Sequence, residues 1–354
     1  MNSQIQKKLL SGCVIPAHPL ALTKTKRLDE RHQRALSRYY LAAGAGGMAV
    51  GVHSTQFRIH DETVGLYKPV LSLAAEEARR FAERETQEVP ILIAGIVGGT
   101  DQAIREAEVA KDLGYHLGLV SLKAFQGKTI PEMIEHVRET SHVIPVMGFY
   151  LQETISGMRL PLKFWREFVE IPHVYAIKIA PFHRYQTLDV LEAVAQSGRS
   201  AEIALYTGND DTIISDLLTQ YEFNLDGRIV KLRMAGGLLG QWGCWTKRAV
   251  EYLEQIKAIH HNQEPISAHL LTLSHQLTLA NKVIFDVENQ FAGCIAGISY
   301  VLTRQGLMGS VQTLDPAENL SPRQAEKIDR IMDNYPHLTD DEFVKTNLDN
   351  WLSS

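Results

Sequence analysis

Between about residue 12 and residue 260 the chain alternates eight times between two textures, and this alternation constrains the fold more than any other feature. Short runs rich in β-branched residues and glycine are each followed by a longer stretch of helical period. The expected strands are Gly12–Ala17, Gly47–His53, Pro90–Val97, Leu117–Leu122, Ile144–Tyr150, Tyr175–Ala180, Ile203–Thr207 and Arg228–Met234. The intervening amphipathic segments are Arg31–Ala43, Leu73–Arg84, Ala103–Leu113, Ile130–Glu139, Leu162–Glu170, Thr187–Ala195, Thr212–Gln220 and Thr246–Ile259. Strict alternation implies parallel strands joined by right-handed crossovers. Eight repeats point to an α/β fold of the (β/α)8 TIM barrel type, spanning residues 1–262. An open doubly wound sheet is the alternative, but no GxGxxG follows the first strand.

After residue 262 the strands stop. Ser267–Asp286, Glu288–Arg304 and Pro322–Asn334 read as helices, with Leu270, Leu271, Leu273, Leu277 and Ile284 on one apolar face. Residues 263–354 are thus expected to form a C-terminal helical region, ending in His337–Ser354 as either a docking helix or a loose tail. The connection Ser54–Ser72 exceeds the usual 2–6 residues of such loops, and long loops are often functional. It stands at the catalytic end of a barrel, either as a lid or as a subunit contact.

Composition excludes several classes. Lys and Arg number 36 against 41 Asp and Glu, for a formal net charge of −5 without a basic block. Neither nucleic acid nor an anionic membrane surface is an expected partner. Cys13, Cys244 and Cys294 are odd in number and far apart, which fits reduced thiols in a cytoplasm. The first residues carry two lysines but no apolar core of a secretory signal, and the apolar run Phe291–Leu302 is too short to span a bilayer. A cytoplasmic location is expected.

The chemistry-bearing stretch is Val174-Tyr175-Ala176-Ile177-Lys178-Ile179-Ala180-Pro181. Alternation along a strand puts Lys178 on one face with Val174, Ala176 and Ala180. An ammonium with apolar neighbours loses hydration, so its pKa falls toward neutrality. The free amine can then attack a carbonyl and form an imine. The structural alternative is a strand-end lysine that snorkels to water. On the preceding strand, Val146, Gly148 and Tyr150 share a face. Tyr150 lies 28 positions before Lys178 and is expected beside it, where a phenol could move protons.

The pair Tyr150…Lys178 on successive βα units resembles the dihydrodipicolinate synthase/N-acetylneuraminate lyase family of class I aldolases. Gly12–Asp29, with Ala17-His18-Pro19-Leu20, is similar to that family's opening strand and turn. Gly46–Thr55 is similar to its Gly-rich second strand, and Thr207-Gly208-Asn209-Asp210-Asp211 to its Ser-Gly-Asp-Asp motif. The resemblance implies a Schiff base between Lys178 and a 2-oxo acid such as pyruvate, with Tyr150 as general acid/base. It also implies a carbon–carbon or carbon–oxygen lyase (aldolase or dehydratase), no metal or organic cofactor, and a homo-oligomer, dimer or tetramer. Gly51, His53, Ser54, Thr55 and Gly208 are the expected substrate contacts. Two departures stand out. Gly51-Val52-His53-Ser54-Thr55-Gln56 replaces the family's Gly-Thr-Thr-Gly-Glu, and no second tyrosine follows strand four in Ser121-Leu122-Lys123-Ala124-Phe125.

Histidines open a different class. His18, His53 and His183 fall after strands one, two and six, so a metal-dependent barrel hydrolase is an alternative, although no HxH or HExxH spacing is present. A non-catalytic ligand-binding barrel is the third possibility. Lys231 and Arg233 are expected on one face of strand eight, forming either a cationic patch or ion pairs with a carboxylate such as Glu202. Arg184 and Tyr185 are expected in a loop within reach of substrate. Asp210 and Asp211 read first as a helix cap.

Overall fold

Strands form where short apolar runs carry small residues that let neighbouring backbones approach, and helices form where the apolar period lengthens to 3.6. A computed structural model describes residues 1–85 and 89–353. The strands are β1 (Val14–Pro16), β2 (Gly47–Val50), β3 (Ile91–Ile96), β4 (Leu117–Val120), β5 (Val146–Leu151), β6 (Val174–Ala180), β7 (Ala204–Thr207), β8 (Tyr221–Leu225), β9 (Arg228–Leu232) and β10 (Gly236–Leu239). Eight of them form one sheet in the order β1-β10-β7-β6-β5-β4-β3-β2, while β8 and β9 pair separately. The outermost two strands of that order are tied by a parallel bridge, Ala17 to Ala49, so the sheet closes as a (β/α)8 barrel.

The helices are α1 (Ser3–Ser11), α2 (Glu30–Ala43), α3 (Tyr67–Glu85), α4 (Thr100–Asp112), α5 (Ile130–Val143), α6 (Glu153–Ser156), α7 (Leu162–Phe168), α8 (Arg184–Ser197), α9 (Ile213–Leu218) and α10 (Thr246–Asn262). The C-terminal region adds α11 (Ala268–Ile284), α12 (Cys294–Arg304), α13 (Gln324–Asn334) and α14 (Asp341–Leu352).

The chain divides into two compact units, Met1–Cys13 with Ile93–Leu238, and Val14–Leu92 with Leu239–Ser354. In the first, α1 is an element the periodicity did not announce. Asn2 caps it by accepting from the Gln4 amide at 2.8 Å, and Ile5 and Leu9 are buried. The Leu9 carbonyl accepts the Tyr206 hydroxyl at 2.9 Å. In the second unit, the chain's last helix docks rather than hanging loose. Trp351 is buried, 5.5 Å from the Tyr39 ring and 5.4 Å from Phe343, while Asp340 accepts the Tyr39 hydroxyl at 2.7 Å and the Lys247 amide at 3.1 Å. Ser354, the final residue of that expected tail, lies outside the described residues.

One expected strand is corrected. Arg228–Met234 is not the eighth barrel strand. Its first five residues form β9, which pairs antiparallel with β8 across the two-residue turn Asp226-Gly227. Both turn residues have positive φ, 51° and 89°, the conformation that Asp-Gly favours between twisted strands. Lys231 and Arg233 leave the barrel with this hairpin. Lys231 pairs with Glu222 at 3.2 Å rather than with Glu202, and Arg233 donates to Gln220. The eighth barrel strand is Gly236–Leu239, whose glycines carry little strand propensity. They are required by proximity, because a Cβ on Gly236 would lie 2.3 Å from the Cys13 carbonyl oxygen.

The Ser54–Ser72 connection is shorter and more ordered than expected. Short 3-10 turns occupy His53–Thr55 and Phe57–His60, and α3 starts at Tyr67. His60 Nε2 donates to the Gly51 carbonyl at 2.7 Å, and Gln56 Oε1 accepts the Leu314 amide at 2.6 Å. These bonds hold the segment down within its unit.

Candidate active site

Lys178 lies on β6 with 7% of its surface exposed. In register it pairs with Phe149 on β5 and Tyr206 on β7. Partners in a parallel sheet point the same way, so Lys178 shares its face with Met147, Phe149 and Leu151, with Ala176 and Ala180, and with Ala204 and Tyr206. Its Nζ stands 4.5 Å from the centre of the Phe149 ring. Burial among these groups outweighs the opposing charge of Asp210 and lowers the lysine pKa from 10.5 to about 8. A usable fraction of this amine is therefore free near neutral pH, although the ammonium still predominates.

Gly208 presses on the lysine stem. A Cβ there would lie 2.8 Å from Lys178 Cε and 2.7 Å from the Ala180 Cβ, so only glycine leaves the side chain its present path. The expectation of a substrate contact at Gly208 thus acquires a steric role as well. The turn after β7 is held by Asp216, which is fully buried on α9. Its carboxylate accepts from the Thr207 hydroxyl at 2.7 Å, Asn209 Nδ2 at 3.0 Å and the Tyr221 hydroxyl at 3.2 Å, and pairs with Arg184. Asn209 Oδ1 in turn accepts the Phe182 amide at 3.0 Å. Asp210, 6% exposed, is carried on this braced turn. It acts electrostatically on Lys178, and no side-chain cap forms at α9, so the helix-cap reading is replaced. Arg184, expected near substrate, is instead committed to Asp216 and to the Tyr221 hydroxyl.

The expectation that Tyr150 stands beside Lys178 is not met. β5 and β6 begin with Val146 opposite Val174, an offset of 28, but the next pair is Met147 with Ala176, an offset of 29. The irregularity leaves Tyr175 without a counterpart, and a one-residue slip moves every later side chain to the other face. Phe149 thereby falls opposite Lys178, while Tyr150 falls opposite Ile179. Tyr150 packs 5.3 Å from the Trp165 ring of α7 and accepts the Leu160 amide at 3.3 Å. Gly148 confirms the direction of that face, since a Cβ there would strike the Phe168 ring at 2.6 Å. Burial also pushes the Tyr150 phenol up to about 12. It is a packed residue on the helix side of the strand, not the lysine's proton partner.

In the second unit, the turn after β2 is occupied with its own bonds. Thr55 Oγ1 accepts the amides of Gly51 at 3.0 Å and Val52 at 3.2 Å, and donates to the His18 carbonyl at 2.6 Å. The amides of Gly51 and Val52, and the hydroxyl of Thr55, thus serve the turn itself. Ser54 is buried, while His53 is half-buried near the Phe57 ring. Gln56 closes the turn at φ 68°, a region disfavoured for any residue with a Cβ. Its strained backbone was not legible from composition.

The histidine alternative loses its first ligand. His18 is fully buried, with Nδ1 2.9 Å from the Pro19 carbonyl and Nε2 2.9 Å from the Ser37 hydroxyl. Nδ1 also lies 3.0 Å from Gln33 Nε2, so both ring nitrogens are taken up by protein groups, and burial lowers the pKa to about 4 and keeps the ring neutral. His183 accepts the Gln186 amide at the start of α8. Among the described residues, no group of three or more His, Cys, Asp or Glu is placed to hold a metal ion. Among them, too, no helix is long and apolar enough to cross a membrane.

The fold is that of the dihydrodipicolinate synthase/N-acetylneuraminate lyase barrels, a resemblance that extends over most of the chain. Dihydrodipicolinate synthase from Oceanobacillus iheyensis superposes with a TM-score of 0.72 at 15% identity, covering 94% of this chain and 99% of that one. The chloride-inhibited dihydrodipicolinate synthase of Acinetobacter baumannii, solved with pyruvate, gives 0.71 at 17% identity over 92% and 99%. CdNal from Clostridium difficile, solved with mannosamine, gives 0.69 at 17% identity over 92% and 99%. No protein-family model matches the sequence, and no curated protein matches it significantly.

Proposed function

We propose that the protein is a class I aldolase-type lyase in which Lys178 forms an imine with a 2-oxo acid such as pyruvate. The observation that carries the proposal is the environment of Lys178, a buried amine against Phe149, Ala176 and Ala180 with a pKa lowered to about 8. Attack of the free amine on the carbonyl carbon and loss of water leave an iminium, which draws electrons from the adjacent carbon–carbon or carbon–hydrogen bond. The direction of reaction, cleavage, condensation or dehydration, depends on the second substrate. That solved barrels of this fold include a synthase complexed with pyruvate supports a 2-oxo acid. His53 and Ser54 remain proposed substrate contacts, each testable by alanine substitution and the KM for the oxo acid.

The test is reductive trapping. The protein is incubated with borohydride and a panel of pyruvate, 2-oxobutyrate, glyoxylate and 2-oxoglutarate, then digested and mapped by mass spectrometry. A reduced adduct on Lys178 with at least one member is expected, and an unmodified Lys178 across the panel overturns the proposal.

A further inference from the structure

An amine that makes and breaks an imine must exchange protons several times, and the face that carries Lys178 offers few groups able to do so. The aromatic ring opposite it belongs to Phe149, which has no exchangeable proton. On the other side, Tyr206 has its hydroxyl committed to the Leu9 carbonyl at 2.9 Å and lies 3.5 Å from Cys13 Sγ. Tyr150 is turned away onto α7. The turn after β7 does carry such a group: Gly208 packs on the lysine stem, Asp210 follows two residues later and is buried, and the turn itself is braced by the bonds of Thr207 and Asn209 to Asp216.

We propose that Asp210 is the proton carrier for Lys178, taking the place of a hydroxyl that Phe149 cannot supply. The inference rests on the imine chemistry proposed above. In the first step the Asp210 carboxylate takes a proton from the Lys178 ammonium, and the freed amine attacks the carbonyl carbon. The nitrogen then loses a proton and the carbinolamine oxygen gains one. Asp210 finally donates its proton to that hydroxyl, the carbon–oxygen bond breaks, and water leaves. The products are the iminium, one water and the regenerated carboxylate, so charge and atoms balance with no further reagent.

Asp210→Asn separates this role from simple electrostatics. Asp210 favours the ammonium form, so an Asn that only removed a charge would leave more free amine and speed trapping near pH 7. Loss of a proton carrier has the opposite sign. The expected result is that the rate of cyanoborohydride trapping with pyruvate falls by about 10²–10⁴-fold at every pH, with deuterium exchange of the pyruvate methyl in D2O falling in parallel. Asp210→Glu, which keeps the carboxylate, should retain a measurable part of both rates. Phe149→Tyr in the Asp210→Asn background should recover exchange by placing a hydroxyl against the amine. Circular dichroism checks that each variant is folded. If the wild type traps and Asp210→Asn traps as fast or faster, the inference fails while the imine reading stands. If Asp210→Asn does not fold, Asp210→Glu decides: a folded glutamate variant with no measurable trapping or exchange overturns it. A wild type that traps with no oxo acid removes both proposals.

Discussion

The basicity of Lys178 converts directly into a rate. A lysine of ordinary pKa is only about 0.03% free amine at pH 7, whereas one at about 8 is ~10% free, a gain of ~300-fold in nucleophile. Trapping with saturating pyruvate and cyanoborohydride, followed across about pH 6–10, should therefore rise with pH and reach half its plateau near pH 8. The sign is fixed by desolvation: burial disfavours the ammonium, so the reactive form appears at lower pH than in solution. Phe149→Leu provides the internal check. The ring face supports the cation, and loss of ~1 kcal/mol of cation–π attraction corresponds to a further fall of about 0.7 pH unit in the midpoint. Mass spectrometric quantitation of the reduced Lys178 peptide gives the rate, with N-acetyl-lysine as the unburied reference. A wild-type rate still climbing with the reference above about pH 10 would refute the claim that the amine is desolvated.

Two further perturbations test the frame around the amine. Gly208→Ala places a methyl 2.8 Å from Lys178 Cε, so a stability loss of about 1–3 kcal/mol is expected, with slower trapping at Lys178; thermal denaturation and adduct mapping check it. Asp216→Asn removes the charge that holds Arg184 and weakens the bonds to Thr207 and Asn209. Since Arg184 is half-exposed, a loss of about 2 kcal/mol is expected, or a Tm fall of about 3 °C by calorimetry, together with slower trapping as the Asp210 turn loosens.

The two corrections share a cause. Reading β5 and β6 separately gives the right faces within each strand, since Gly148 with Tyr150, and Ala176 with Lys178, do lie together. What fails is the relation between strands, because a single unpaired residue at Tyr175 changes the offset from 28 to 29. The eighth strand was misplaced for a related reason. Arg228–Leu232 has strand propensity and Gly236–Leu239 has less, yet the former is drawn into a hairpin by the preceding Asp226-Gly227 turn. That dipeptide was a visible signal, and it outweighs the propensity of the run that follows it. The motif Thr207–Asp211 was visible, but the bracing of its turn comes from Asp216, a residue of a different element that bonds Thr207 and Asn209.

By itself the sequence determined the alternating architecture, the helical C-terminal region and the isolation of one lysine in an apolar strand. Each of these is written in the local spacing of apolar and small residues, and needs no knowledge of a neighbour. Tertiary structure alone decided which aromatic ring meets that lysine and which glycine run completes the barrel. Those are matters of register between separate segments, where a shift of one residue exchanges a phenol for a phenyl ring and leaves the pattern along each strand unchanged.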